Sequence, residues 1–152
     1  MFGKMDQETK KRLPPGQHLT DRFPVLHYGP VPRLNLETWN FRVWGEVEQP
    51  LLLTWEEFSS LPRTRLHMDI HCVTTWSKLD TSWEGVSLKT LRELGLVVPK
   101  PGAKFVIQHA EFGFTANLPL EVVDSDNFLF ATHYEGQPIS LEHGAPLRGI
   151  CG

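Results

Sequence analysis

Cysteine is scarce in this chain: two among 152 residues, Cys72 and Cys151, far apart in the sequence. A pair so placed does not form the disulfide framework of a small secreted domain, and it suits a compartment where thiols stay reduced. An excess of charge is lacking too, because 15 Lys+Arg against 18 Asp+Glu leave a formal −3. That balance gives no electrostatic case for nucleic acid or an anionic membrane surface. No run approaches the ~18 apolar residues that a membrane-crossing helix requires. The N-terminal "MFGKMDQETKKRLPPGQ" has none of the apolar core of a signal peptide. The expectation is a cytoplasmic protein, with no nucleic-acid partner and no membrane insertion. Fingerprints of haem and nicotinamide cofactors are missing as well: there is no CxxCH, and no GxGxxG between a strand and a helix.

What is present is enough for one domain with a real core: 40% hydrophobic residues, including five Trp, two Tyr and nine Phe. Residues 1–18 read as a polar N-terminal tail in which the run Lys10–Arg12 is solvated, and residues 19–152 as the domain. "FPVLHYGPVPR" is an extended arm, since Pro24, Pro30 and Pro32 remove donors and exclude helix. "WNFRVWGEV" alternates as a half-buried strand, with Trp39, Phe41 and Val43 on one face, and "PLLL" follows as a short buried strand. "TWEEFSSLP" opens on a capping box, Thr54 with Glu57, and stops at Pro62. "TRLHMDIHC" is a strand with Leu66, Met68, Ile70 and Cys72 on one face and His67, Asp69 and His71 on the other. "SLKTLREL" is a helix capped by Ser87 and stopped by Gly95. "AKFVIQH" and "FGFTANL" read as strands, "PLEVV" as a helical turn, and "NFLFATHYEGQPIS" as a hairpin about Glu135–Gly136. Strands dominate and no long crossover helix is present, so the fold class is α+β, mostly β with short helices.

The chemistry turns on "DIHCVTTWS". Zinc at His67, His71 and Cys72 suits a helix, but on a strand four residues span about 13 Å, too far for two imidazoles on one tetrahedral ion. A cysteine hydrolase needs a base brought in from elsewhere, and His109, His133 and His143 are available. The plain alternative is a buried core thiol at a strand end.

The surroundings of Cys72 decide between these. An apolar strand, then "HCVTTWS", then "WEGVSL" from Trp83, then "HGAPLR" ending at Arg148 resembles the molybdopterin-binding domain of the sulfite oxidase family. The resemblance is nearest to its small bacterial members, which include the catalytic subunit of the protein-methionine-sulfoxide reductase. It runs from about Leu13 to Arg148 and includes "RLPPGQHLTDRFPVLHYGPVPR" and the "TWEEFSSLP" helix. It implies the family's molybdopterin-binding fold, a molybdenum–molybdopterin cofactor, and oxygen-atom transfer at a small sulfur-containing substrate. Electrons would come from a separate carrier protein. It also implies that Cys72 is the catalytic thiolate and molybdenum ligand, soft sulfur suiting such a metal. Cofactor contacts carried over on matching positions are His27, Tyr28, Cys72, His143 and Arg148, the arginine suiting the pterin's phosphate. Roles for His71, Trp76 and Trp83 are left unassigned, and Arg42, Arg63, Arg65 and Lys78 are the cations available to draw an anion.

The resemblance breaks after Arg148. The family runs on into an apolar strand and a "K-S-x-K" turn that holds the pterin phosphate, whereas this sequence reads "PLRGICG". The expectation is a chain lacking the family's C-terminal part, with an uncovered sheet edge and Cys151 as a stray terminal thiol. The alternative function is then a truncated, non-catalytic remnant that cannot hold the cofactor.

Overall fold

In the computed structural model, which describes residues 5–26 and 28–152, the longest strand is one that the sequence pattern hides. It is β5, Trp76–Val86, and the main sheet is assembled on it. β4 (Thr64–His71) lies antiparallel along one edge of β5, from His71↔Ser77 to Thr64↔Gly85. The other edge is shared. β1 (His18–Leu19) runs parallel to Trp76–Ser77, and β8 (Phe128–Tyr134) runs antiparallel to Trp83–Val86. β10 (Arg148–Cys151) and β9 (Gln137–Pro138) pair with the far edge of β8. Two separate hairpins complete the strands: β2 (Asn40–Val43) with β3 (Leu51–Thr54), and β6 (Phe105–His109) with β7 (Thr115–Pro119).

β5 escapes a periodicity reading because of a bulge. Met68 faces Thr81 and Ile70 faces Lys78, so Leu79 and Asp80 together oppose Asp69. Asp80 takes φ 56°, and its N–H donates to Asp69 Oδ1 at 2.9 Å. The extra residue switches which face successive side chains occupy. Trp76 is buried before it and Thr81, Trp83 and Gly85 after it, so no single alternation spans the strand.

The four helices are short: α1 (Gln7–Arg12), α2 (Trp55–Ser59), α3 (Leu88–Glu93) and α4 (Leu120–Val123). The capping box of α2 forms as expected, with Glu57 N–H donating to Thr54 Oγ1 and Thr54 N–H to Glu57 Oε2. Ser87 caps α3, and Gly95 follows it with φ 71°. The turn Glu135–Gly136, both residues at positive φ, joins β8 to β9. β3 departs from the expectation of a buried strand: it alternates, and Leu52 opposite Arg42 is 63% exposed.

β8 divides the core because both of its faces are covered. Phe128 and Phe130 point into one cluster with Phe41, Phe58, Val86, Leu88, Leu91, Val97 and Val123. Leu129 and Ala131 point into a second with Met68, Trp83, Ile139 and Ile150, to which Phe23 of the arm adds its ring. Ile150 corrects one expectation. "PLRGICG" is no loose tail: Arg148 to Cys151 form β10, and the exposed Cys151 sits in register with Phe128. The run Lys10–Arg12 is solvated at Lys10 and Lys11, and only Arg12 departs from that expectation. It lies in α1, and Arg12 reaches Asp69 and Asp80 at 2.6 and 2.5 Å.

Candidate functional site

Cys72 follows the last residue of β4, in the turn that leads into β5. It is a free, partly exposed thiol and belongs to neither core cluster, which disposes of the core-thiol reading. Its Sγ lies 3.1 Å from the Thr74 hydroxyl. The turn closes on itself: Cys72 N–H donates to Trp76 O at 2.8 Å, and Thr75 N–H, at a residue with φ 75°, donates to Cys72 O at 3.0 Å. Val73, 95% exposed, points away from the protein.

The N-terminal segment holds this turn from outside. Gln17 Nε2 donates to Cys72 O at 2.9 Å, and Ser77 Oγ donates to Gln17 Oε1 at 3.0 Å. Because the hydroxyl proton of the fully buried Ser77 goes to Gln17, the 2.7 Å contact with His71 Nδ1 requires that nitrogen to donate. His71 therefore carries its proton on Nδ1.

Phe23 is the common neighbour of the remaining site residues. Its ring packs on Trp76, Trp83 and Tyr134 with centroids 5.9, 5.9 and 5.1 Å away, and stacks on His143 at 4.0 Å. The Arg148 guanidinium lies over Phe23 at 5.5 Å and Trp83 at 5.6 Å, and donates to His143 O at 3.1 Å. Burial pushes both groups toward neutrality: His143 is held below the ordinary histidine range by burial and then by the charge of Arg148, and Arg148 is lowered by burial alone. Among the described residues no carboxylate pairs with Arg148.

His143 and Arg148 thus share one aromatic block, and Cys72 connects to it by the backbone bond from its N–H to Trp76 O. Tyr28 stands elsewhere, beside Phe114 (5.5 Å) at the tip of the β6–β7 hairpin. His27 lies outside the described residues. The cations offered for anion attraction are engaged elsewhere: Arg65 and Arg63 with Glu84, Lys78 with Asp21 O, and Arg42 over Trp44. Among the described residues no three His, Cys, Asp or Glu gather as a metal site, so the zinc reading of His67, His71 and Cys72 falls. Sequence reasoning missed Gln17, Phe23 and Ser77. Gln17 and Phe23 stand in "PPGQHLTDRFP", where a polar amide and a lone aromatic between turn residues are the only local signal.

A family model described as the oxidoreductase molybdopterin-binding domain matches residues 28–152. The chain belongs to that family. It is an oxidoreductase domain of the molybdenum-dependent, sulfite-oxidase type, and the family's cofactor is molybdopterin-borne molybdenum. Uncharacterized oxidoreductase YuiH of Bacillus subtilis is 44% identical over 151 residues, covering 98% of this chain and 75% of its own. The MsrP catalytic subunit of the protein-methionine-sulfoxide reductase of Campylobacter jejuni is 35% identical over 72 residues, 47% of this chain and 23% of that protein. Inducible nitrate reductase [NADH] 2 of Glycine max is 28% identical across 99% of this chain, which spans only 21% of the enzyme. Among solved structures, the sulfane dehydrogenase SoxCD of Paracoccus pantotrophus superposes with a TM-score of 0.71 at 23% identity, over 82% of this chain and 36% of that one. The last comparison speaks for the fold alone.

The residues of this molybdopterin domain fit the cofactor. Cys72 offers a reachable soft donor. Arg148 offers a largely buried cation without an anion, an arrangement that costs free energy unless a ligand supplies the charge. Trp76, 7% exposed, has a buried Nε1–H with no acceptor among the described residues, and such a group is rare unless a partner is absent.

Proposed function

We propose that Cys72 is the protein thiolate that ligates molybdenum, and that the domain transfers an oxygen atom to or from sulfur in a small substrate, a sulfite-like oxyanion or a sulfoxide. The observation that carries this reading is the position of Cys72: a partly exposed free thiol outside both cores, on a turn fixed by three hydrogen bonds to its own backbone and to Gln17. Bound molybdopterin would supply the redox couple and the exchangeable oxygen. The chain's own part is to hold and orient. Arg148 suits the pterin's phosphate because its remaining N–H groups are uncommitted to any carboxylate. His143, whose affinity for a proton is lowered by burial and then by Arg148, offers an imidazole donor or acceptor beside Phe23. His27 and Tyr28 are assigned to the cofactor by resemblance only. Tyr28 would reach it from the rim formed with Phe114.

No helix among the described residues is long and apolar enough to cross a membrane. With two free thiols, we place the protein in the cytoplasm, receiving electrons from a separate carrier protein.

Metal analysis of protein purified from a host that makes the cofactor tests the reading. Wild-type protein and Cys151→Ser should carry close to one molybdenum per chain, and Cys72→Ser should lose it. Full molybdenum content in Cys72→Ser would refute the ligand assignment. Wild-type protein with neither molybdenum nor pterin would favour the non-catalytic alternative.

A further inference from the structure

We infer that residues 12–20 form a strap that positions the Cys72 turn, with Gln17 as its positioning residue. The strap precedes residue 28, where the match to the family model begins, and lies within the stretch aligned with YuiH. It grips the hairpin at three levels. Arg12 bonds Asp69 and Asp80 across the β5 bulge. His18 N–H donates to Thr75 O and Thr20 N–H to Ser77 O, each at 2.9 Å, which fixes the end of the turn. Gln17 then reaches the start of the turn at the Cys72 carbonyl.

The polarity of the Gln17 contact makes it specific. His71 Nδ1–H donates to Ser77, Ser77 O–H donates to Gln17 Oε1, and Gln17 Nε2–H donates to Cys72 O. Each link fixes the next: with the amide flipped, Gln17 Oε1 would face the Cys72 carbonyl, two acceptors with no proton between them. The Cys72 carbonyl accepts from both Gln17 and Thr75. That places the sulfur-bearing residue under restraint from two sides, in a turn whose Thr75 carries a positive φ that a β-branched residue does not hold unaided. First-ligand geometry depends on such outer contacts. The catalytic meaning of the strap rests on the ligand role proposed for Cys72; the restraint itself does not.

The test uses the cofactor-free full chain in a Cys151→Ser background. Two variants are compared: Gln17→Glu, which keeps the acceptor for Ser77 but loses the donor to Cys72, and Gln17→Met, which loses both. Amide exchange at Thr75 and the rate of Cys72 alkylation by iodoacetamide should each rise about five- to tenfold, the scale expected for one lost hydrogen bond in a locally opening turn. Ser87→Ala, which removes the cap of α3, should lower global stability and leave both rates unchanged. In the unmodified chain the Thr75 amide should exchange at least about tenfold more slowly than that of Phe114, whose i→i+3 turn bond has no strap. Equal rates for Thr75 and Phe114, or folded Gln17 variants with wild-type exchange and alkylation, would overturn the strap. That outcome is independent of molybdenum content: retention of metal by Cys72→Ser would defeat the ligand reading and leave the strap to be judged on exchange alone.

Discussion

The β4–β5 and β6–β7 hairpins are both antiparallel pairs joined by short turns, and they differ in what surrounds them. In β4–β5, the strand β5 is flanked on both edges. Met68 and Trp83 are buried in the second core cluster, β1 and β8 occupy the outer edge of β5, and Gln17 holds the turn. β6–β7 turns Phe105, 66% exposed, and Ile107, 59% exposed, to solvent. Its turn is closed by its own backbone, Ala110 N–H to Phe114 O and Phe114 N–H to Glu111 O, with Phe112 at φ 58° and its ring half out. Hairpins of like local geometry therefore acquire different rigidity from contacts that come from distant parts of the chain. The hairpin under external restraint is the one that carries Cys72.

Three substitutions break or sharpen this contrast. Trp83→Ala should have the largest effect. It empties a fully buried site against Phe23, Tyr134 and the Arg148 guanidinium, and a loss of about 3–5 kcal/mol in urea unfolding is the usual scale for such a truncation.

Arg12→Met should cost less, because the guanidinium is partly exposed and solvent screens the pair. Its signature is in the pH dependence. The Arg12 hydrogen bond, ahead of the Asp80 N–H and nearby charges, holds the Asp69 carboxyl below its usual range against the opposing effect of burial. A carboxyl lowered on folding contributes stability that is present above its unfolded pKa of about 3.9 and is lost as pH falls through the lowered folded value. Unfolding curves collected between neutral pH and pH 2 should show a shallower acid limb in Arg12→Met than in wild type.

Ile107→Thr should be the mildest, within about 0.5 kcal/mol of wild type, because the side chain is solvent-facing and threonine suits a strand. A cost above 2 kcal/mol there would mean that the β6–β7 face is covered in solution and that the contrast between the hairpins is false.

Much of the secondary structure was legible because local chemistry specifies it. The capping box of α2, the Ser87 cap, the Gly95 stop and the Glu135–Gly136 turn each involve residues within a few positions of one another. β5 was not legible, because its bulge changes the alternation midway and the cause, Asp69 bonded to the Asp80 amide, lies on another strand. The burial of Ile150 in "PLRGICG" was hidden for a similar reason: β10 is a strand through its pairing with β8. At the site, Cys72, His143 and Arg148 were chosen from residues that resemble a family; the structure sets His143 and Arg148 against Phe23, which no motif marked, and Cys72 bonds to the backbone of Trp76, whose ring also packs on Phe23. Tyr28 was chosen on the same grounds, and its ring lies beside Phe114.

By itself the sequence determined an α+β chain with short capped helices, an accessible thiol after an apolar strand, and membership in a molybdopterin-binding family. These follow from short-range periodicity, capping and motif order. Only the tertiary structure decided that Gln17 would hold the Cys72 carbonyl and that Arg148 would lie on two aromatic rings without a carboxylate. Both depend on segments far apart in the chain meeting in space, and hydrogen-bond direction and burial have no meaning until they do.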